Sequence, residues 1–258
     1  MRFASIGSGS SGNGLVVESG RTRVLLDCGF SLREAEARLA RLGVEAARLA
    51  AIVVTHEHDD HASGVFGLAR RHGIPVWVTH GTLAALRQSD PAVDSDVSVR
   101  TICAEQWLRI EDLAVLPYTV PHDAREPVQF LFSDGVRRLG VLTDAGCSTA
   151  HIHSVLSGCD GLVLEANHDL GMLMGGGYPY VLKCRIAGRL GHLDNGASAA
   201  LLSALDCSRL KHVVAAHLSQ KNNKADLARA ALAAALGCTP DWVEIATQAF
   251  GFPWRDLA

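Results

Sequence analysis

Apolar runs of strand length alternate with segments of helical spacing along the first third of the chain. Residues 23–29, 51–54 and 74–79 are short and rich in β-branched or aliphatic side chains, which predicts strands. Residues 32–42 carry apolar side chains at helical spacing, and residues 61–71 also predict a helix. This order is typical of strands joined by helices.

The pattern changes in the middle of the chain and then returns. Residues 97–141 contain short strands with turn signals and almost no helical spacing. Beyond them the sequence predicts strands at 161–165 and 212–216, and helices at 149–156, 180–190, 195–205 and 225–236. Two mixed sheets packed face to face, with helices outside, fit this α/β order. Because no repeat and no linker-like segment divides the chain, we expect a single domain spanning residues 1–258.

Composition is typical of a soluble globular protein, with 48% hydrophobic and 20% charged residues. No apolar run is long enough to span a bilayer and the N-terminus lacks a signal-peptide profile, so we expect no membrane partner. The seven cysteines are an odd number and form no Cys-x-x-Cys pair. We interpret most of them as small core residues of a reduced protein, which predicts a cytoplasmic location.

Charge is unevenly distributed along the chain. The net charge of −3 argues against a general nucleic-acid binder, yet residues 181–224 contain seven basic side chains and two acidic ones. The local charge of +5 leaves −8 for the rest, which indicates either an anionic ligand on one face or helix faces that are merely basic. The basic residues are Lys183, Arg185, Arg189, Arg209, Lys211, Lys221 and Lys224.

The densest group of chemically active side chains follows the predicted strand at 51–54. His56, His58, Asp60 and His61 occur within six residues. A strand that ends in such a group directs its side chains into one small volume at a sheet edge. Imidazole nitrogen and carboxylate oxygen are ligands that divalent metals such as zinc prefer, so the spacing predicts a metal site rather than a solvated turn.

Three further candidate ligands stand where a predicted strand gives way to a loop: His122, Asp144 and His217. Any one of them alone would more often be a hydrogen-bonded polar residue at a strand end. Four strand ends that offer ligands together are better explained by convergence at a common sheet edge.

The Gly/Ser-rich loop at 7–14 has two possible interpretations, a wide hairpin or a backbone nest that faces a phosphate. It lacks the Gly-Lys-Ser/Thr of a Walker loop.

In order and in kind, these ligands resemble the motif series of the metallo-β-lactamase superfamily, and the likeness covers essentially the whole chain. The resemblance implies an αββα sandwich of two mixed sheets flanked by helices, with two divalent ions at the edge between the sheets. Zinc or manganese is expected, and iron is an alternative. By the same resemblance, one ion is held by His56, His58 and His122, the other by Asp60, His61 and His217, and Asp144 bridges them.

Several loops resemble the YycJ/WalJ-like branch of that superfamily. They include the glycine-rich loop at 7–13, the run Pro-His-Asp-Ala at 121–124, and Gly-His-Leu at 191–193, where Asp194 replaces the usual Ser. Members of this branch are described as 5′-to-3′ DNA exonucleases. The resemblance therefore implies a metal-dependent phosphodiester hydrolase that acts on nucleic acid, DNA in preference to RNA.

His192 has a role of its own in this interpretation. In related phosphodiesterases such as ribonuclease Z, a His at the matching place contacts the scissile phosphate and donates a proton to the leaving oxygen. A His near its ordinary pKa suits that task, whereas the alternative is a helix cap or a core residue. Two ions about 3.5–4 Å apart would lower the pKa of a bridging water toward 7 and generate hydroxide. Asp60 would orient that hydroxide, which makes Asp60 and His192 the expected catalytic residues.

Other functions share the ligand set. A small-molecule phosphodiesterase, acting on a cyclic phosphate or a nucleotide, would use the same site. A glyoxalase-II-like thioesterase carries a helical C-terminal domain for which this chain is too short. A non-enzymatic regulatory role would be expected to lose ligands, and none is missing. The sequence leaves the native metal, the direction of cutting and the oligomeric state open.

Overall fold

The computed structural model describes residues 1–258, which form two seven-stranded sheets. The first sheet contains β1 (Arg2–Gly7), β2 (Gly14–Ser19), β3 (Thr22–Leu26), β4 (Ala51–Val53), β5 (Val76–Thr79), β6 (Val99–Ile102) and β14 (Phe252–Asp256), in the order β14-β1-β2-β3-β4-β5-β6. The second contains β7 (Leu108–Ile110), β8 (Leu113–Thr119), β9 (Val128–Ser133), β10 (Arg138–Leu142), β11 (Gly161–Glu165), β12 (His212–Ala216) and β13 (Val243–Ile245), in the order β13-β12-β11-β10-β9-β8-β7.

Helices cover the outer faces of both sheets. They are α1 (Leu32–Arg41), α2 (Asp59–Ala62), α3 (Val65–His72), α4 (His80–Ser89), α5 (Ala150–Leu156), α6 (Leu170–Gly175), α7 (Tyr180–Ile186), α8 (Asn195–Ala204) and α9 (Ala225–Leu236), with short 3₁₀ turns at Ala46–Arg48 and Pro240–Trp242. The predicted αββα sandwich of two mixed sheets is confirmed. None of the helices has the length and apolar character needed to cross a membrane.

The core is divided among three layers of buried apolar side chains. Between the sheets, Phe3 and Phe252 from the first sheet pack with Phe130 and Phe132 from the second. A second layer lies between the first sheet and α1 and α3, and a third lies between the second sheet and α5, α8 and α9. Because both faces of most strands are covered, the strands appear in the sequence as continuous apolar runs.

Strand direction determines where the polar loops meet. Strands β3 to β6 run parallel to one another, and so do β10 to β13. Strand β8 points the same way as β10, because both are antiparallel to β9. The carboxyl ends of these strands therefore lie along one edge of each sheet, and ligands collect at such edges.

Most predicted elements are present within one to three residues, but several expectations were wrong. The helix predicted at 61–71 is split into α2 and α3 at Ser63, because the backbone N–H of Gly64 donates to the carbonyl of Cys28 instead of continuing one helix. The helix predicted at 180–190 ends at Ile186. Strands β13 and β14 and helix α6 were not predicted at all.

The interpretation of the cysteines as core residues is also wrong for most of them. Only Cys28 and Cys159 are buried, and burial raises the pKa of each thiol to about 12. Cys103 and Cys184 are exposed and the other three are partly exposed, and all seven are free thiols.

Candidate metal centre

All seven predicted ligands lie together at the carboxyl edge of the two sheets. His56, His58, Asp60 and His61 follow β4, His122 follows β8, Asp144 follows β10 and His217 follows β12. Three strand ends in this region have left-handed backbone, at Asp27 (φ 59°), Asp144 (φ 53°) and His217 (φ 55°). Such conformations are uncommon for residues other than glycine and cluster at functional sites, because the surrounding structure must hold them in place.

Three imidazoles form the first group of donor atoms. His58 Nδ1 lies 3.0 Å from His56 Nε2 and 3.3 Å from His122 Nε2. The other nitrogen of His122 donates to the carbonyl of Gly191 at 3.1 Å, and that of His56 contacts the hydroxyl of Thr55 at 2.9 Å. The Thr55 hydroxyl donates to Asp27, so its oxygen accepts from His56 Nδ1. The lone pairs of His56 and His122 are thereby directed toward the common centre.

A carboxylate and two imidazoles form the second group. Asp60 Oδ2 lies 3.4 Å from His61 Nε2 and 3.2 Å from His217 Nε2. His61 Nδ1 is 2.8 Å from Asp27 Oδ2, and His217 Nδ1 is 3.3 Å from Glu165 Oε1. A carboxylate behind each imidazole is the usual arrangement for a metal-ligating histidine, because it fixes the tautomer and strengthens the ligand.

Asp144 lies between the two groups. Its Oδ2 is 3.0 Å from His61 Nε2, and its Oδ1 is 3.5 Å from His217 Nε2. The Oδ2 atom is fully buried and, although His61 Nε2 lies nearby, no donor meets it with regular hydrogen-bond geometry. A buried carboxylate oxygen without a donor is costly unless a cation neutralises it. The donor atoms therefore fit divalent ions, with Asp144 able to reach both groups.

The charges of this cluster are strongly coupled. Burial alone would raise the pKa of Asp144, but His217 and His61 hold it well below its usual range. Burial would likewise lower the pKa of His217, but Asp144 and the hydrogen bonds to Asp60 and Glu165 raise it to about 10. The nearby carboxylates therefore favour protons on His61 and His217. A bound ion would take their place, so metal binding should release protons.

His192 lies beside the cluster with a buried carboxylate behind it. Its Nδ1 is 2.8 Å from Glu165 Oε1, while the side chain stays 22% exposed toward a cavity. Glu165 is fully buried, and its Oε2 accepts from the backbone N–H groups of Ala145 and Leu193. Burial would raise the pKa of Glu165, but His192 lowers it to about 2, and Glu165 in turn raises the pKa of His192 against the effect of burial. His192 does not cap α8, because Asp194 does.

The loop at 7–14 supports the centre through Asn13 rather than through free backbone amides. The Asn13 side chain donates to Asp60 and lies 3.1 Å from His61 Nε2. The amide of Gly9 donates to Asn13, and that of Ser11 donates to Gln248. Because these amides already donate hydrogen bonds within the protein, the interpretation of the loop as a wide hairpin is favoured over a phosphate-binding nest.

The basic residues of 181–224 do not form one face. Arg209 pairs with Asp160, and Lys211 donates to the carbonyls of the last two residues. Both precede β12, whereas His217 follows it, which places them about 16 Å away at the other end of the strand. Arg185 and Arg189 instead line cavities beside His192.

From the sequence, Glu165 is only a weaker candidate for a residue that supports the ligands, and Asn13 and Asp27 have no assigned role; the structure places all three against the ligands or His192. Asp27 and Glu165 stand at the ends of β3 and β11, the same signal that indicated Asp144 and His217. That signal could have drawn attention to Asp27 as well. The contacts of both carboxylates with particular histidines depend on loops that are distant in sequence.

Together, the αββα fold and two groups of metal-type donors joined by one aspartate define a hydrolase of the metallo-β-lactamase type. A family model described as "Beta-lactamase superfamily domain" matches residues 22–218. The chain is 33% identical over 229 residues to exodeoxyribonuclease YycJ of Bacillus anthracis, covering 89% of this chain and 86% of that protein. It is 32% identical over 228 residues to exodeoxyribonuclease WalJ of Streptococcus pneumoniae, covering 88% and 85%.

A solved structure has the same architecture. The crystal structure of Zn²⁺-bound PqqB from Methylobacterium extorquens superposes with a TM-score of 0.75 at 17% identity, covering 99% of this chain and all of that one. At this identity the likeness concerns the fold alone. With the sequence matches, it follows that the chain belongs to the metallo-β-lactamase superfamily as a YycJ/WalJ-like member. It is a metal-dependent hydrolase of that superfamily.

Proposed function

We propose that this protein is a 5′-to-3′ DNA exonuclease that works with two divalent ions in a single catalytic domain. The observation that carries the proposal is that two donor groups meet at Asp144, and that His192 lies next to Asp144 with its Nδ1 2.8 Å from the buried carboxylate of Glu165. Its exodeoxyribonuclease-named relatives support DNA as the polymer. Seven free cysteines are consistent with a reduced, cytoplasmic setting.

The proposed ligand sets follow the two groups of donor atoms. His56, His58 and His122 would hold one ion, Asp60, His61 and His217 would hold the other, and Asp144 would reach both. Imidazole-rich sets favour zinc or iron over magnesium, and the two aspartates also suit manganese. Such ions, when bound, lower the pKa of water and offset the negative charge of a phosphodiester during in-line displacement.

The chain's own residues then have distinct tasks. The Asp60 carboxylate accepts a hydrogen bond from the attacking water and orients it toward phosphorus. As the phosphorus–oxygen bond breaks, His192 Nε2 donates a proton to the leaving sugar oxygen. Glu165 holds the imidazole through Nδ1 at 2.8 Å and stabilises its charged form. Solvent takes the proton of the water and later restores the proton of His192, so the cycle balances.

Digestion of end-labelled nucleic acids tests this function. Single- and double-stranded DNA and RNA, labelled at either end, are incubated with protein loaded with Mn²⁺, Zn²⁺ or Mg²⁺. We expect stepwise shortening of DNA from its 5′ end. Internal cuts, shortening from the 3′ end or a preference for RNA would contradict the proposal. Hydrolysis of cyclic phosphates or nucleotides with intact DNA would instead indicate a small-molecule phosphodiesterase.

A further inference from the structure

Two adjoining cavities lie on the side of the metal centre where His192 stands. The inner cavity, of about 200 Å³, is lined by His58, His192 and three residues of α7, among others. The outer cavity, of about 430 Å³, is lined by Arg189 and Leu190. Arg185 and Asp123 belong to both and mark the boundary between them. A molecule in the inner cavity can therefore contact both His192 and Arg185.

Helix α7 presents a mixed apolar and cationic face to the inner cavity. Leu182, Arg185 and Ile186 line it, and their i, i+3, i+4 spacing places them on one side of the helix. None of the seven residues of α7 is buried, so the helix contributes little to the core. A surface with two aliphatic side chains beside one guanidinium suits a ligand with a flat apolar part and an anionic group.

Arg185 is held in place yet has donors to spare. Its Nε and Nη2 both contact one oxygen, Asp123 Oδ2, at 2.7 Å. A guanidinium carries five N–H donors, so those on Nη1 stay available, and the side chain is 65% exposed. Asp123 thus orients Arg185 without saturating it. Arginine with free donors at a cavity wall is well matched to a phosphate.

The chemistry of the cut determines which part of a DNA strand would lie here. A proton donor stands on the leaving-group side of the phosphodiester, so the cavity beyond His192 receives the nucleoside whose oxygen departs. In digestion from the 5′ end that breaks the bond to the 3′ oxygen, this is the terminal nucleoside. A cavity of about 200 Å³ is of the size of a small-molecule site and not of a polymer, so it suits one nucleoside.

We propose that the inner cavity binds the 5′-terminal nucleoside of a DNA strand, and that Arg185 binds its 5′ phosphate at the boundary with the outer cavity. This proposal rests on the proposed exonuclease function. Cleavage toward the 3′ oxygen leaves a new 5′ phosphate on the shortened strand. Each cut thus regenerates the group that Arg185 recognises, and the site can be refilled at every step.

The test compares two forms of the 5′ end of one DNA strand, phosphorylated and unphosphorylated. A 3′-labelled DNA strand carrying either a 5′ phosphate or a 5′ hydroxyl is cut by the metal-loaded protein, alone and annealed to its complement. We expect the wild type to prefer the phosphorylated end by about 10- to 100-fold in kcat/KM, the range for a charge-assisted contact. Arg185→Gln should reduce the ratio to near one, and Arg185→Lys should keep part of it. Arg71→Gln, an exposed change at the end of α3, is the charge-matched control and should keep the wild-type ratio.

Hydrolysis of bis(p-nitrophenyl) phosphate checks that the variants are intact. This small diester has no 5′ phosphate, so Arg71→Gln should hydrolyse it within about threefold of the wild type. For Arg185→Gln, an unchanged metal content per chain shows that the ligands are intact. If the wild type cuts the 5′-phosphate and 5′-hydroxyl strands equally well, or if Arg185→Gln keeps the full preference, the proposed nucleotide site is overturned. The proposed exonuclease function would still stand. A wild type that hydrolyses the small diester and no DNA would overturn the proposed function and this site with it.

Discussion

His192 and His217 stack with their ring centroids 5.3 Å apart and share one carboxylate, yet their other nitrogens face different surroundings. His217 is 2% exposed and its Nε2 faces Asp60 and Asp144. His192 is 22% exposed and lines the inner cavity. The difference lies in what surrounds each ring, since the two side chains are chemically identical. We therefore expect one to hold a metal and the other to act on substrate.

Replacing His192 should separate these roles. His192→Ala should keep both ions and lose about 10²- to 10⁴-fold in the rate of DNA hydrolysis, because a sugar alkoxide leaves poorly without a proton donor. An aryl phosphodiester, whose phenolate leaves unaided, should lose much less. The measurement is kcat on both substrates together with elemental analysis. Equal losses on both substrates would indicate phosphate binding, and loss of an ion would make His192 a ligand.

The Glu165 carboxylate should matter through the two histidines that it touches. Glu165→Gln preserves the shape but removes the charge that stabilises protonated His192, and it weakens the contact with His217. We expect a loss of about 10- to 100-fold in metal affinity or activity, as is usual for a residue behind a ligand. Glu105→Gln is the matched control, since Glu105 makes a 2.8 Å contact with His151 on the surface. Similar losses in both variants would contradict the role assigned to Glu165.

At the scale of elements, close backbone contacts hold the loop between β3 and α1 against α2. A Cβ atom added to Gly29 would lie 1.9 Å from the carbonyl oxygen of Asp60, and one added to Gly64 would lie 1.8 Å from that of Phe30. Any side chain at these two positions would therefore collide with the backbone, so both must be glycine. The same contacts explain why the helix predicted at 61–71 breaks at Gly64, because this break depends on a loop more than 30 residues earlier in the chain, which no local pattern reveals.

A substitution at Gly29 should damage stability and the metal centre together. Gly29→Ala forces the backbone of Asp60 to move, and we expect destabilisation of about 1–3 kcal/mol with weaker binding at the Asp60 group. Urea unfolding and metal titration measure the two effects. Gly67→Ala lies within α3 with no atom near its added Cβ, and it should be neutral or stabilise by about 0.5–1 kcal/mol. A stable Gly29→Ala protein with normal metal affinity would show that the loop yields without disturbing Asp60.

At the scale of the whole molecule, the centre lies between the sheets and draws on both. The first sheet supplies His56, His58, Asp60 and His61, and the second supplies His122, Asp144 and His217. The sequence predicted this convergence because the end of each strand has a local signal, a short apolar run followed by a polar residue. It did not predict the pairing of β14 with β1, which joins the two ends of the chain. Nor could it reveal which carboxylate stands behind which imidazole, since those contacts form only when the sheets pack.

The metal content of the reconstituted protein tests the central claim most directly. Protein stripped with a chelator, reloaded with excess Zn²⁺ or Mn²⁺ and freed of unbound ion is analysed for metal per chain. Two donor groups joined by Asp144 predict close to two equivalents for the wild type and a clear decrease for Asp144→Ala. A wild-type value that stays at one equivalent under metal excess would contradict the dinuclear centre.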